Sequence, residues 1–136
     1  MNLNKYHYHV DHINKIWAPC SNIRYTMTED GSMKEYAQIF LNKAIKVWLF
    51  NGDWDDVVPY RDTENNLEVL KIPKTGEWDP WYVGEHHAGF YQVYEKLTVI
   101  TVKGASHMVP QTKPKQAYQM FYNFVKNRPI NTPVPV

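Results

Sequence analysis

The spacing of apolar and polar positions changes several times along the chain, and each change predicts an element. In "SMKEYAQIFLNKA", residues 32–44, Met33, Tyr36, Ala37, Phe40, Leu41 and Ala44 recur at spacings of three and four, the stripe of an amphipathic helix. Ser32 stands as an N-cap with Glu35 three residues on, the pattern of a capping box. "KVWLF", residues 46–50, is a short apolar run with a turn-rich exit and predicts a buried strand. After Pro59, "YRDTENNLEVL" predicts a short helix with a polar face, and "KIPKTGEWDPWY" a break followed by extended chain. "GFYQVYEKLTVITV" predicts two strands, about 89–94 and 97–102, the second more apolar. "KPKQAYQMFYNFVKN", residues 113–127, predicts the last helix, with Ala117, Met120, Phe121 and Phe124 as its apolar stripe. Pro114 suits the first turn of that helix, where no amide donor is needed. The tail "RPINTPVPV" carries three prolines and is expected to be extended, while residues 1–16 show no clear period.

Strands flanked by helices in this order predict an open α/β sheet. Ligands on such sheets bind beyond the carboxyl ends of the strands. Two unusual loops fall there: "FNGDWDDVVPYRDT", residues 50–63, rich in acids, and "VKGASHMVP", residues 102–110, with one histidine. The length of 136 residues fits a single domain. A net charge of +1 without a basic stripe argues against nucleic acid or an anionic membrane as partner. No run approaches the roughly 20 apolar residues of a membrane span. The start, "MNLNKYHYHV", lacks the apolar centre of a signal peptide.

The acid and histidine loops suit two parts of a Ser–His–acid triad, in which a carboxylate orients the imidazole that deprotonates a serine. On α/β-hydrolase sheets the chain order is serine, acid, histidine, and here the acid loop precedes the histidine loop. Asp53, Asp55 and Asp56 compete for the acid; each alternatively caps a turn or helix. Asp55 is favoured, because Gly52 turns the chain and sets Asp55 at the loop apex. His107 is then the base, its bland alternative being a satisfied turn histidine. No G-x-S-x-G is present; Ser106 adjoins His107, and neighbours on a tight turn rarely aim their side chains at one another, while Ser21 and Ser32 lack the strained elbow of a nucleophile. Cys20, in "WAPCSN", is a formal nucleophile with no strand before it. As the single cysteine it reads as a small buried hydrophobe in a reducing cell, or as half of an interchain bridge in a secreted protein. His7, His9 and His12, with Asp11 among them, lack the second ligand pair of a structural zinc site and read as solvated loop histidines.

Taken together, "WAPCS", "VWLFNGDWDDVVP", "WDPWY" and "LTVITVKGASHMVPQTKPKQAYQMFYNF" resemble the serine carboxypeptidase family, from about His9 to about Pro129. The resemblance implies the C-terminal third of an α/β hydrolase, with parallel strands, flanking helices and an added hairpin, across residues 1–136. It implies Asp55 as triad acid and His107 as triad base, with Val58 and Met108 lining the leaving-residue pocket. It implies that Cys20 bridges to an N-terminal, serine-bearing part of the enzyme. It further implies a peptide substrate, no cofactor or metal, and a lysosomal, vacuolar or secreted setting. The family's G-E-S-Y-A-G segment and its glycine-rich oxyanion segment are absent from these residues, so the chain alone is expected to be inactive. Two positions depart from the family pattern: "RDT" replaces Gly-Thr, and Ser106 replaces the glycine before the histidine. A glycine there matters where φ is positive. The alternative to an enzyme component is a non-catalytic, carboxypeptidase-like scaffold. In an active assembly Asp53→Asn and Asp56→Asn are expected to cost much less than Asp55→Asn.

Overall fold

A computed structural model describes residues 45–95 and 97–135. The expected helix over 32–44, Cys20, Ser21 and the group His7, His9, Asp11 and His12 lie outside the described residues. The elements run β1 (Val47–Gly52), α1 (Tyr60–Val69), β2 (Asp79–Val83), β3 (His86–Val93), β4 (Leu97–Val102), α2 (Val109–Thr112) and α3 (Pro114–Val125). The four strands form one sheet in the order β1-β4-β3-β2. Only β1 and β4 are parallel; β4–β3 and β3–β2 are antiparallel. The expectation of parallel strands with a hairpin is therefore met by one parallel pair inside a mixed sheet.

That parallel pair positions the site. Its register runs from Val47 opposite Leu97 to Gly52 opposite Val102. Both strands thus end level, and the acid and histidine loops leave the same sheet edge side by side. β4 is central and covered on both faces, so Leu97, Val99, Ile100 and Val102 are all buried and read as a nearly continuous apolar run. One face packs Trp81, Ile100, Val102 and Val109 against Ala117 and Met120 of α3. The other packs Leu97, Val99 and Tyr94 against Leu67 of α1 and Ile72 beyond it. Fully buried Trp81 satisfies its indole N–H by donating to the Thr101 carbonyl at 2.9 Å.

The structure refines several sequence expectations. The extended chain expected at "WDPWY" is strand β2, Asp79–Val83, paired to β3. Pro80 disguised it, but β2 is an edge strand, where a missing amide donor leaves no ladder partner unsatisfied. Val109–Thr112 forms a short helix that was not expected, and Lys113, at φ −135° and ψ 64°, separates it from the expected last helix, Pro114–Val125. Its buried residues are Ala117, Gln119, Met120 and Asn123, whereas Phe121 is exposed. The polar pair is buried because it fastens the tail. Gln119 donates to the Tyr82 and Ile130 carbonyls, and Asn123 to those of Ile130 and Thr132. The tail accordingly bends, with the Thr132 amide donating to the Pro129 carbonyl and Ile130 buried, instead of running straight out. Among the described residues no helix is long and apolar enough to cross a membrane.

Candidate active site

The acid loop begins where β1 meets the histidine loop at close range. A Cβ on Gly52 would lie 2.2 Å from the Ala105 carbonyl oxygen and 2.5 Å from that of Ser106, so only glycine allows this approach. Three backbone bonds join the loops and the strands beneath them. The Asp53 amide donates to the Val102 carbonyl at 3.1 Å, the Trp54 amide to that of Ala105 at 3.0 Å, and the Lys103 amide to that of Ala88 at 2.7 Å.

The structure brings Asp55 and His107 together. His107 Nδ1 and Asp55 Oδ2 are 3.0 Å apart, with the carboxylate side chain 3% exposed and the imidazole side chain 51% exposed. Asp55 Oδ1 accepts from the Val57 amide at 2.9 Å and the Val58 amide at 3.0 Å. One carboxylate oxygen is thereby locked to the backbone while the other faces the ring. Burial pulls the Asp55 pKa upward, but the Val58 amide, the His107 ring and the Val57 amide outweigh it and hold the carboxyl below its ordinary value. An ionised carboxylate only accepts, so the neutral ring carries its proton on Nδ1 and keeps the lone pair on Nε2. Nε2 has no hydrogen-bond partner among the described residues. A half-exposed imidazole with its tautomer set from behind can take a proton from a hydroxyl brought to Nε2 and return it to a leaving group.

The other predicted residues are placed around this pair. Val58 follows in the acid loop and Met108 follows His107; both side chains are exposed. Asp56 is exposed, and Asp53 turns its Oδ1 to the Gly104 amide. Ser106 does not take positive φ; among the described non-glycine residues only Lys71 and Asn127 do. Serine at that position therefore introduces no left-handed strain. The described residues contain no cluster of three or more metal-ligating side chains.

Sequence reading missed Asn51 and Thr63. Asn51 donates to the Val58 carbonyl at 3.0 Å, and the Thr63 hydroxyl donates to Asn51 Oδ1 at 3.1 Å. The acid loop is thus braced from the end of β1 and the first turns of α1. The available signal was a polar residue closing an apolar run, "VWLFN"; a buried polar side chain must find partners. An apolar groove of about 550 Å³ between Trp48 and Phe50 of β1 and Phe121 and Phe124 of α3 is lined by neither Asp55 nor His107.

The sequence matches the serine carboxypeptidase family over residues 5–127. It is similar to serine carboxypeptidase II-1 of Hordeum vulgare, with 36% identity over 119 residues, 86% of this chain and 37% of that protein. Serine carboxypeptidase-like 27 of Arabidopsis thaliana is 35% identical over 126 residues, 91% of this chain and 28% of that protein. P-(S)-hydroxymandelonitrile lyase of Sorghum bicolor is 34% identical over 120 residues, 84% of this chain and 23% of that protein. The chain spans at most 37% of the length of these three relatives.

Proposed function

The chain belongs to the serine carboxypeptidase family, and on that premise we propose that Asp55 and His107 are the acid and base of a Ser–Asp–His triad whose serine lies outside these 136 residues. The observation that carries this reading is the 3.0 Å contact of His107 Nδ1 with a carboxylate whose other oxygen is fixed by two backbone amides.

The reaction is release of a C-terminal amino acid from a peptide. The serine hydroxyl loses its proton to His107 Nε2 as its oxygen attacks the last peptide carbonyl. Asp55 stabilises the imidazolium, which then protonates the departing amine and leaves an acyl-enzyme. Water repeats the proton transfer and regenerates the serine. Val58 and Met108, exposed beside the pair, line the pocket for the leaving residue. The described strands and helices form the C-terminal part of an α/β-hydrolase sheet, with Cys20 bridging to the serine-bearing part. A vacuolar, lysosomal or secreted compartment would allow that bridge to persist.

The test is made on native material containing this chain. Non-reducing electrophoresis with mass spectrometry should place it with a G-x-S-x-G sequence, in one polypeptide or bridged through Cys20. The isolated species should release C-terminal residues from peptides. Turnover of a cyanohydrin without peptide hydrolysis would keep the triad but replace the reaction. A monodisperse chain with no associated serine segment and no turnover would contradict the catalytic reading and leave the scaffold.

A further inference from the structure

We infer that Asp53 is a positioning residue for His107, acting through the backbone of the Gly104 turn. The inference rests on His107 being the base proposed above. In Gly52-Asp53-Trp54-Asp55 the two carboxylates face different partners. Asp55 meets the imidazole, and Asp53 Oδ1 accepts from the Gly104 amide at 2.6 Å. A short bond from an amide to a carboxylate is charge-assisted and stronger than the neutral bonds around it.

The turn needs such an anchor. Gly104 has φ +65°, a conformation open to glycine, and glycine loses more conformational freedom on ordering than any other residue. The backbone between β4 and α2 is otherwise held by neutral contacts. Lys103 and Trp54 donate to backbone carbonyls, and the Ser106 amide donates to the Thr112 hydroxyl at 3.3 Å. His107 Nδ1 has only Asp55 as side-chain partner among the described residues. The angle at which the ring meets that carboxylate is therefore set by the path of residues 103–106. Asp53 ties this path back to the loop that carries Asp55, so acid and base are referenced to one another through two carboxylates two residues apart.

The experiment is NMR of the full 136-residue chain with ¹⁵N-labelled glycine and histidine. This readout requires no serine and no turnover, so it stands whether or not the catalytic reading does. In the wild type the Gly104 amide proton should lie well downfield of those of Gly76 and Gly84. Asp53→Asn keeps an accepting oxygen and should leave the His107 Nδ1–H resonance near its wild-type position. Asp53→Ala, with unchanged circular dichroism, should shift that resonance or lose it to exchange. In an active assembly the same change should lower kcat by about 100-fold, the order expected for a misplaced catalytic group, with KM much less affected. An ordinary Gly104 shift in the wild type overturns the inference. So does a folded Asp53→Ala chain whose His107 resonance is unmoved. Should Asp53→Ala fail to fold, the wild-type Gly104 shift and the Asp53→Asn spectrum decide.

Discussion

The two carboxylate oxygens of Asp55 have separate tasks. Oδ1 accepts the Val57 and Val58 amides, which prevents rotation, and Oδ2 is left for the imidazole. Asn51 and Thr63 hold the same loop from behind. In an active assembly Asp55→Asn should lower kcat by about 10⁴-fold, because an amide donor stabilises the wrong tautomer. Asp56→Asn, at an exposed position, should cost only a few-fold. Steady-state kinetics of both variants checks the assignment, and a larger loss for Asp56→Asn would move the acid. The depressed Asp55 pKa has a definite sign in stability. A group whose folded pKa lies below its unfolded value stabilises the fold above the unfolded pKa, about 3.9 for aspartate, and loses that contribution as pH falls through the lower folded value. Denaturation of wild type and Asp55→Asn should therefore differ at pH 7, with the gap closing only below about pH 4. A gap that closes at neutral pH would mean that Asp55 is not held ionised.

At the scale of elements, α1 and α3 end in the same way. The Ile72 amide donates to the Leu67 carbonyl and the Lys71 amide to that of Glu68; Arg128 and Asn127 repeat this with Asn123 and Phe124. Both are Schellman ends that require a left-handed residue after the cap, supplied by Lys71 at φ 54° and Asn127 at φ 53°. Asparagine tolerates this region; lysine does so at a cost. Lys71→Gly should raise stability by up to about 1 kcal/mol, read as a higher urea midpoint at unchanged slope. A lower midpoint would contradict the left-handed assignment. The same scale shows what was legible in sequence. α1 and β4 declared themselves by period and by continuous apolar character. β2 showed only as extended chain, because its proline has meaning only once the strand is known to be an edge. The face of α3 was legible only in part for a related reason: Ala117 and Met120 are buried as expected, whereas Phe121 is exposed. Phe121 and Phe124 look like core, whereas Gln119 and Asn123 are buried because the carbonyls of the bent tail accept from them. Periodicity counts apolar residues and has no access to carbonyls distant in sequence. The meeting of Asp55 with His107 was legible because both loops leave two level strand ends. The contacts of Asn51, Thr63 and Asp53 were not, since each depends on groups that only the fold brings near.

For the whole molecule, β1 pairs on one side only among the described strands, and the groove beside it carries Phe50 and Phe121 with 45% and 66% exposure. An apolar surface of this kind is a site of association or aggregation. The isolated chain should bind an apolar dye such as anilinonaphthalene sulfonate, and Phe121→Asp should weaken that binding several-fold without unfolding the chain. Dye binding unchanged by Phe121→Asp would place the exposed surface elsewhere. The central claim is that these residues activate a hydroxyl supplied from beyond them. Its most direct measurement is the rate at which a phosphonofluoridate labels the serine of the assembled protein, with and without His107→Ala. The account predicts a label on a serine in a G-x-S-x-G sequence outside this chain, formed at least about 1,000-fold more slowly without the imidazole. Labelling of that serine at an undiminished rate in the His107→Ala protein would contradict it.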